Sequence, residues 1–444
     1  MREEWCLFGV ENSWDDFRDF SENVKLLDFS EICIYWLYMN YYIKQFFEVS
    51  KDEGVPTAIR LATDFVANTL SRKLITSSPP GNPIPLKDKK ILFLEAVGKT
   101  DGWWIGDGIF RSPILDWLGS EAELHMLTRE ARSPVFDNNP NVAWIFTVQE
   151  DRNFATMMEL IQDLRWEHFD AIVALNPQWR IYLFMYLIKQ RTTGIYISRI
   201  TRNEVKSENL IRLFLDKVRG SLGYQKIDTI PSPVIHTDTV WTQEIGKNFL
   251  PWKKYIGVNI GAKSGLRHFR EWRKVFQRLK DIHWIDGTTI FVLVWKDGVG
   301  SVDEEIIDVL GEENVLNFCN KATLVDTYAI ISHCRGWFIG MDGWNVNAAI
   351  ALRHRTHARV IPIYNAVNPE LRIPSDVPLW DCALIPCVEE TNCFTRNGAT
   401  HCTITWQSSR DNAHTPPCLE KENSIDIVYE ALVDLVAPLK ISPK

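Results

Sequence analysis

The apolar residues of the first half of this chain form short runs that alternate with amphipathic segments. Short apolar runs bounded by charges or turn residues predict buried strands, and apolar residues three or four positions apart predict helices. Strands are predicted at 91–94, 123–127, 142–148, 170–175 and 193–197, and helices at 109–118, 154–166, 181–189 and 204–218. This alternation predicts a parallel sheet with helical crossovers.

A second series of the same kind begins after a looser stretch that follows residue 218 and contains Pro231, Pro233 and Pro251. Strands are predicted at 255–260, 288–295, 315–318, 336–339 and 358–363, and helices at 271–280, 303–310, 324–333, 345–352 and 425–439. The predicted fold class is therefore α/β, with two Rossmann-like doubly wound domains that face a cleft. Ligands of such domains bind at the carboxyl ends of the strands.

The segments outside these two series divide the chain further. We expect a mainly helical N-terminal extension at 1–88, with helices at 30–54 and 57–74 and a linker rich in proline and glycine at 77–85. The first Rossmann-like domain, at 89–235, would hold the acceptor, and the second, at 250–380, the nucleotide sugar. A cysteine-rich segment at 381–422 and a C-terminal helix at 423–444 complete the predicted organisation.

Composition narrows the function classes. The 444 residues are 45% hydrophobic and 24% charged, which is ordinary for a globular protein, and the net charge of −8 argues against a nucleic-acid partner. The first 16 residues lack the apolar core of a secretory signal. The most apolar window, 32–47, is interrupted by Asn40 and Lys44 and is shorter than the ~20 residues of a transmembrane helix. We expect a cytoplasmic protein without a transmembrane segment.

The first candidate for chemistry is the unit of strand, loop and helix at 89–118. Its loop contains Gly98, Gly102, Gly106 and Gly108, with Asp107 between the last two, and Pro113 is expected in the first turn of the helix that follows. An Asp at the carboxyl end of a strand suits a general base and suits a helix N-cap equally well. Trp103 and Trp104 would line an acceptor cleft or pack in the core.

The second half carries a matching set of polar residues. The turn at 340–347 would present backbone N–H groups at a helix N-terminus to a diphosphate, with Asp342 either shaping that turn or capping the helix. A basic loop at 263–268 offers cations for the leaving group or is simply solvated. Thr323 and Asp326 are typical of a helix cap. The residues predicted to bind the nucleotide sugar are Asn259, Gly261, His268, Thr323, Gly340, Asp342, Gly343, Asn345 and Asn347.

Cysteines concentrate near the end of the chain. Of nine, five lie after residue 381. Cys387, Cys393, Cys402 and Cys418 supply enough thiolates for a structural, tetrahedral Zn or Fe site, with Cys382, His401 and His414 as alternative ligands. Such a site would stabilise a loop-rich segment and take no part in catalysis.

Several of these segments, in sequence order, resemble the ADP-heptose:lipopolysaccharide heptosyltransferase family. Gly106-Asp107 with Pro113 resembles its first turn, and the family's later motifs are similar to DAIVALNPQWR, VNIGAKSGLRHFREW and ATLVDTYAIISHCRGWFIGMDGWNVNAAIAL. The resemblance implies the two-Rossmann fold called GT-B and inverting transfer of a heptose from ADP-heptose without a catalytic metal. It also implies Asp107 as the base, and Arg267 or Lys263 as the cation beside the leaving diphosphate.

The chain departs from the family pattern at two points. Gly343 and Trp344 follow Asp342 where the family has Thr and Gly, and Asn347 stands in place of its His. The N-terminal extension and the spaced cysteines resemble the branch that transfers heptose to autotransporter proteins, so the acceptor is a glycan or a protein hydroxyl, and a homo-oligomer is expected. The alternatives are a nucleotide-sugar epimerase or hydrolase on the same fold, and a non-catalytic scaffold that binds sugars or partner chains.

Overall fold

The computed structural model describes residues 82–95, 105–148, 154–175, 179–190, 192–200, 202–261, 269–282, 288–295, 300–364, 368–385, 419 and 422–436. The chain divides into two compact units, Met1–Leu74 and Ile75–Lys444, and all of these residues belong to the second. The helices predicted at 30–54 and 57–74 lie outside the described residues. No helix in the described ranges is long and apolar enough to cross a membrane.

The first half of the second unit is a five-stranded sheet with its connecting helices. The strands are β1 (Lys90–Leu94), β2 (Glu123–Arg129), β3 (Trp144–Val148), β4 (Ala171–Leu175) and β5 (Gly194–Ser198). The helices are α1 (Ile105–Glu121), α2 (Phe154–Trp166), α3 (Trp179–Ile188), α4 (Arg202–Ser207) and α5 (Leu210–Ser221). All neighbouring strands are parallel and follow the order β3-β2-β1-β4-β5.

The second half repeats this plan after helix α6 (Thr239–Gly246). Its strands are β6 (Lys254–Asn259), β7 (Thr289–Trp295), β8 (Val315–Asn317), β9 (Trp337–Met341), β10 (Arg359–Tyr364) and β11 (Ala383–Leu384). Its helices are α7 (Trp272–Asp281), α8 (Val302–Leu310), α9 (Leu324–His333), α10 (Trp344–Thr356) and α11 (Glu422–Val436). The parallel order β11-β10-β9-β6-β7-β8 is the Rossmann order, and the prediction of two doubly wound domains is confirmed.

Both sheets are covered on both faces, which explains why their strands are almost continuously apolar. The described residues of β4 are all buried, as are the last four of β1. One apolar cluster faces α2 and α3, and a second faces α7, α8 and α11. The largest cluster takes residues from both halves, among them Ile114 and Phe214 from the first and Val346 and Tyr364 from the second. The two halves therefore share one core.

Polar contacts reinforce this junction. The Asn209 side chain caps α5 by accepting from the N–H of Ile211 at 3.0 Å, and its amide nitrogen donates to the carbonyls of Glu370 and Ile373 at 2.7 and 2.8 Å. The backbone N–H of Ser375 donates to the Ile230 carbonyl at 3.2 Å. A single buried amide thus joins a helix of the first half to the chain of the second.

Three local predictions are wrong. Pro113 lies inside α1, well past its first turn, where its missing N–H leaves the Ile109 carbonyl without a helical donor. Strand β9 extends to Met341, so Gly340 belongs to the strand and not to the turn. The looser stretch between the two series contains helix α6, which was not predicted. None of its residues is buried, so it has no apolar periodicity that would indicate a helix. Asp238 caps it by accepting from the N–H of Trp241 at 2.9 Å.

We expect acid to weaken the junction between the halves through His236. Burial lowers the pKa of this imidazole below its ordinary 6.5, against the opposing effect of the Asp116 carboxylate and with support from Arg355 and His354. A depressed histidine pKa means that the unfolded chain binds more protons, so stability is complete above pH 6.5 and falls as the pH drops toward the folded-state pKa.

Thermal unfolding between about pH 7.5 and pH 5 measures this effect, in a range chosen to bracket an ordinary histidine. His236→Gln should flatten the part of the profile just below pH 6.5. An unchanged profile in that variant would contradict the assignment.

Candidate functional site

The site is built where the order of the second sheet reverses. β6 and β9 are neighbours there, and from them the chain proceeds outward to β7 on one side and to β10 on the other. Asn259 ends β6 and Met341 ends β9. Ligands of doubly wound sheets bind at this crevice beyond the carboxyl ends of the strands.

A chain of buried amides connects the two strands to helix α10. The Asn259 amide nitrogen donates to the Met341 carbonyl at 3.2 Å, and the Asn345 amide nitrogen donates to the Asn259 side-chain oxygen at 3.1 Å. Asn259 is fully buried and Asn345 nearly so. The structure thus brings together Asn259, Gly340, Gly343 and Asn345 of the predicted nucleotide-sugar set.

Helix α10 begins at this crevice without a side-chain cap. Gly343 is its N-cap residue, and Asp342 lies one position before it. Asp342 is buried, and its backbone N–H donates to the Ile363 carbonyl of β10 at 2.8 Å. The N–H groups of the first turn have no acceptor within the helix, and together with the helix dipole they favour an anion.

The first turn of α1 lies against the first turn of α10. A Cβ added to Gly106 would lie 3.0 Å from the amide nitrogen of Asn347 and 3.5 Å from the Trp344 Cα. Asp107 follows Gly106 and lies in the first turn of α1; the prediction that it lies in the loop before the helix is wrong. An acidic residue in a first turn is favoured by the helix dipole, which explains why the helix begins this early.

A buried ionic network supports α1 from the end of β1. The Glu95 carboxylate accepts from Arg111 at 2.7 Å, from the Thr128 hydroxyl at 2.9 Å and from Arg132 at 3.3 Å. The side chains of Glu95 and Arg111 are fully buried. Arg111 lies four residues, about one helical turn, after Asp107, so the network anchors the turn that carries the candidate base. The sign of this network in the sequence is a charged residue, Glu95, directly after the apolar run 91–94.

Three aromatic residues that the sequence did not single out as a group meet beside the start of α10. The Trp344 ring lies edge-to-face with Trp295 at a centroid distance of 5.3 Å and with Tyr328 at 6.1 Å. Trp295 ends β7 opposite Asn259, where the pairing of β6 with β7 shifts register. The crevice therefore has an aromatic wall beside its amide chain.

The remaining predicted residues divide into three groups. The hydroxyl of Thr323 accepts from the N–H of Asp326, and the Asp326 carboxylate accepts from the N–H of Thr323, so both form a capping box at α9. Gly261 is buried just beyond β6. The other predicted side chains lie outside the described residues: Asp107, Lys263, Arg267, His268, Trp103, Trp104, Cys387, Cys393, Cys402 and Cys418.

The predicted metal site can be compared with the structure at Cys382 alone. Burial raises the pKa of the Cys382 thiol to about 12, with a further contribution from the Asp381 carboxylate. Within the described ranges no three His, Cys, Asp or Glu side chains are grouped so that they could hold a metal ion.

We expect Gly340→Ala to disturb the amide chain. The new Cβ would lie 2.5 Å from the Asn259 Cβ and 2.9 Å from the Asn259 carbonyl oxygen, so β6 and β9 would have to separate. Overpacking of this kind costs about 1–3 kcal/mol. Urea unfolding measures this loss of stability. Gly336→Ala is the matched control, because nothing lies within 4 Å of a Cβ built at that position. An equal loss of stability in the two variants would contradict the close approach of β6 and β9 at Gly340.

The fold and its crevice can now be compared with those of known proteins. No protein-family model matches the sequence, and a search of curated protein sequences gave no match. A glycosyl transferase family 9 structure from Veillonella parvula DSM 2008 is similar at TM-score 0.61 and 16% identity, covering 80% of this chain and 99% of that one. E. coli ADP-heptose LPS heptosyltransferase II is similar at TM-score 0.56 and 14% identity, covering 78% and 98%. The fold is that of these two-Rossmann, GT-B proteins, as the resemblance implied.

Proposed function

We propose that this protein is an inverting glycosyltransferase that moves a sugar from a nucleoside-diphosphate sugar, with ADP-heptose as the expected donor, to a hydroxyl of a glycan or a protein. The observation that carries the proposal is the contact between the first turn of α1, which contains Asp107, and the first turn of α10. This contact supports a site in which a candidate base of one half acts beside a candidate diphosphate site of the other.

In the proposed reaction, Asp107 removes the proton of the acceptor hydroxyl. The hydroxyl oxygen attacks the anomeric carbon of the donor from the side opposite the diphosphate, and the bond from that carbon to the diphosphate oxygen breaks. The configuration at the anomeric carbon is therefore inverted. The N–H groups at the start of α10 and the cation Arg267 or Lys263 stabilise the negative charge that develops on the leaving diphosphate.

Support for this assignment comes from three independent directions. The fold is that of glycosyl transferase family 9 structures, one of which is described as an ADP-heptose LPS heptosyltransferase. The motifs at Gly106-Asp107 and at 340–347 follow each other in the sequence in the order of the family pattern, and Gly106 lies close to Trp344 and Asn347. Helix α10 begins without a side-chain cap, which leaves its N–H groups for an anion. The ADP-heptose donor rests on the motifs and on the description of one structural neighbour.

A thermal-shift titration with ADP, UDP, GDP and dTDP, followed by ADP-heptose, tests the proposal. A ligand that binds the native state alone stabilises it by about 2.7 kcal/mol at 100 times its Kd. A shift with ADP and ADP-heptose supports the heptosyltransferase assignment. A shift with another nucleotide keeps the transferase and rejects the heptose. The absence of any shift favours the non-catalytic scaffold, and donor consumption without an acceptor favours the epimerase or hydrolase.

The structural metal at Cys387, Cys393, Cys402 and Cys418 remains part of the proposal, as do the cytoplasmic location and a homo-oligomeric state. Metal analysis of the purified protein should find Zn or Fe, and a variant with all four cysteines changed to serine should lose it. Because the proposed metal only stabilises its segment, the variant should still bind the nucleotide. Unchanged metal content in that variant would reject the four-cysteine site.

A further inference from the structure

A cavity of about 360 Å³ lies at the C-terminal end of α10. Its walls come from the connecting segment 232–234, from the last two turns of α10 and the two residues after it, and from Asp376. His354 follows Trp344 by ten positions on this helix, which is about 15 Å along its axis. The cavity is therefore separate from the crevice at the start of α10, and its volume is in the range of small-molecule sites.

The wall formed by the connecting segment is held by hydrogen bonds to both halves. The N–H of Val234 donates to the Ser112 hydroxyl of α1 at 2.8 Å. The Arg353 guanidinium of α10 donates to the Ser232 hydroxyl at 3.3 Å and to the Asp376 carbonyl at 2.9 Å, and it forms an ion pair with the Asp376 carboxylate. The charges of Arg353 and Asp376 therefore balance each other within the wall.

Two imidazoles, those of His354 and His357, line the same cavity. Nδ1 of His354 lies 2.9 Å from the Ala351 carbonyl, which can only accept a hydrogen bond, so this nitrogen carries a proton. The other nitrogen, Nε2, has an N–H only when the imidazole is protonated. Protonated His354 would offer an anion both a donor and a positive charge.

The charged groups around His354 come from three elements. Partial desolvation lowers the pKa of His354 below its ordinary 6.5, and its hydrogen bond to the Ala351 carbonyl raises it. Arg355 and Arg353 of α10 lower it, whereas the Asp116 carboxylate of α1 raises it. His354 is therefore neutral above pH 6.5, and its protonated fraction grows as the pH falls.

Protonation of His354 changes the sign of the charge at the cavity. His236 of the connecting segment is a close neighbour, because His354 contributes to lowering its pKa. When both imidazoles are neutral, the two carboxylates of Asp116 and Asp376 balance the two guanidinium groups of α10. One proton on His354 leaves a net positive charge, which an anion in the cavity would neutralise.

The rest of the lining is apolar. It consists of Pro233, Val234, Ile350 and Ala358. An inorganic anion would leave this surface in contact with water, whereas an organic anion would cover it and gain the free energy of apolar burial. The lining therefore favours a ligand with a negative head and an apolar body.

We propose that this cavity binds a small organic acid as its anion, with the carboxylate at His354 and His357 and the apolar part against Val234 and Ile350. Binding is coupled to the uptake of one proton by His354, because Nε2 has no hydrogen to donate in the neutral imidazole. The ligand contacts the connecting segment and α10 together. This site is independent of the proposed sugar transfer.

Benzoate is the probe, because it joins a carboxylate to an apolar ring and stays ionised well above an ordinary carboxyl pKa. Titration calorimetry in two buffers of different ionisation enthalpy should find about one proton taken up per benzoate bound near neutral pH. The Kd should be about tenfold lower at pH 7 than at pH 8, as uptake of one proton requires. Acetate, which lacks the ring, should bind more weakly, and benzyl alcohol, which lacks the charge, should bind more weakly and without proton uptake.

Two variants test the histidines separately. His354→Gln should abolish the proton uptake, because an amide cannot be protonated in this pH range. His357→Asn should raise the Kd for benzoate about fivefold, as expected for the loss of one hydrogen bond. His357 has a φ of 53°, which asparagine tolerates, so this variant should fold. His168→Asn is the matched control, because His168 is also exposed and has a φ of 52°, but lies in the first half, between α2 and β4.

The remaining outcomes overturn the site. Benzoate binding without proton uptake, or with the same uptake in His354→Gln, excludes His354 as the group that takes up the proton. Equal affinity for benzoate and benzyl alcohol would show that the cavity selects apolar groups alone. The absence of benzoate binding to the unmodified protein at pH 7 also rejects the proposal. None of these measurements involves a nucleotide, so failure of the proposed transferase would leave them unaffected.

Discussion

Asp107→Asn is expected to reduce sugar transfer by about 10²–10⁴-fold, the range typical for removal of a general base. The amide has the shape of the carboxylate but cannot take up the proton of the acceptor hydroxyl. Asp107 lies in the first turn of α1, so the loss of its favourable interaction with the helix dipole costs only about 0.3–1 kcal/mol. The variant should therefore fold and bind the nucleotide as the unmodified protein does.

Transfer is measured as nucleoside diphosphate released in the presence of acceptor, and binding by thermal shift with the diphosphate alone. Glu121→Gln is the matched control, because it makes the same chemical change at the exposed, opposite end of the same helix. An Asp107→Asn protein that keeps more than about a tenth of the activity would exclude Asp107 as the base. Loss of both transfer and nucleotide binding would assign Asp107 to the donor site instead.

Glu95→Gln is expected to lower the free energy of unfolding by about 3–5 kcal/mol, because it removes the buried carboxylate that accepts from Arg111, Thr128 and Arg132. The Glu95 and Arg111 side chains are fully buried, and Arg132 beside them is 10% exposed. The effect should be much larger than that of an exposed ion pair.

Urea unfolding followed by tryptophan fluorescence measures the difference. Glu244→Gln is the matched control, because Glu244 and Lys247 are 55% and 71% exposed and such pairs contribute about 0–1 kcal/mol. The double variant Glu95→Leu, Arg111→Met should lose less stability than Glu95→Gln, since it removes the two fully buried charges and leaves only Arg132, whose side chain is 10% exposed. If the double variant is less stable than Glu95→Gln, the hydrogen bonds of the network, and not the charge that Glu95→Gln leaves behind, determine its contribution to the free energy of unfolding.

Most strands could be predicted from the sequence because burial on both faces makes them apolar without interruption. The run at 170–175 corresponds to β4 and that at 255–260 to β6, each to within one residue. Helix α6 was missed because none of its residues is buried, so only the cap at Asp238 marks it. Local pattern therefore predicts an element well when the element is buried and poorly when it is exposed.

The candidate site could be predicted only in part. The resemblance placed Gly106-Asp107 and the segment 340–347 in one site, and the structure places Gly106 close to Trp344 and to the Asn347 side chain. The ionic network of Glu95 was not predicted, because its partners follow 16 and 37 residues later and nothing in the local sequence indicates them. The amide chain from Asn345 through Asn259 to the Met341 carbonyl was not predicted either, because its members are 82 and 86 positions apart in the sequence.

The core shared by the two halves has a practical consequence for engineering. A fragment ending between α5 and α6 would expose the apolar surface of α1 that meets α10 in the intact chain. We would expect either fragment alone to aggregate, and co-expression of the pair to be needed for soluble material. An exchange of one half between related transferases would meet the same obstacle, because the incoming half must match the packing surface of the half that remains.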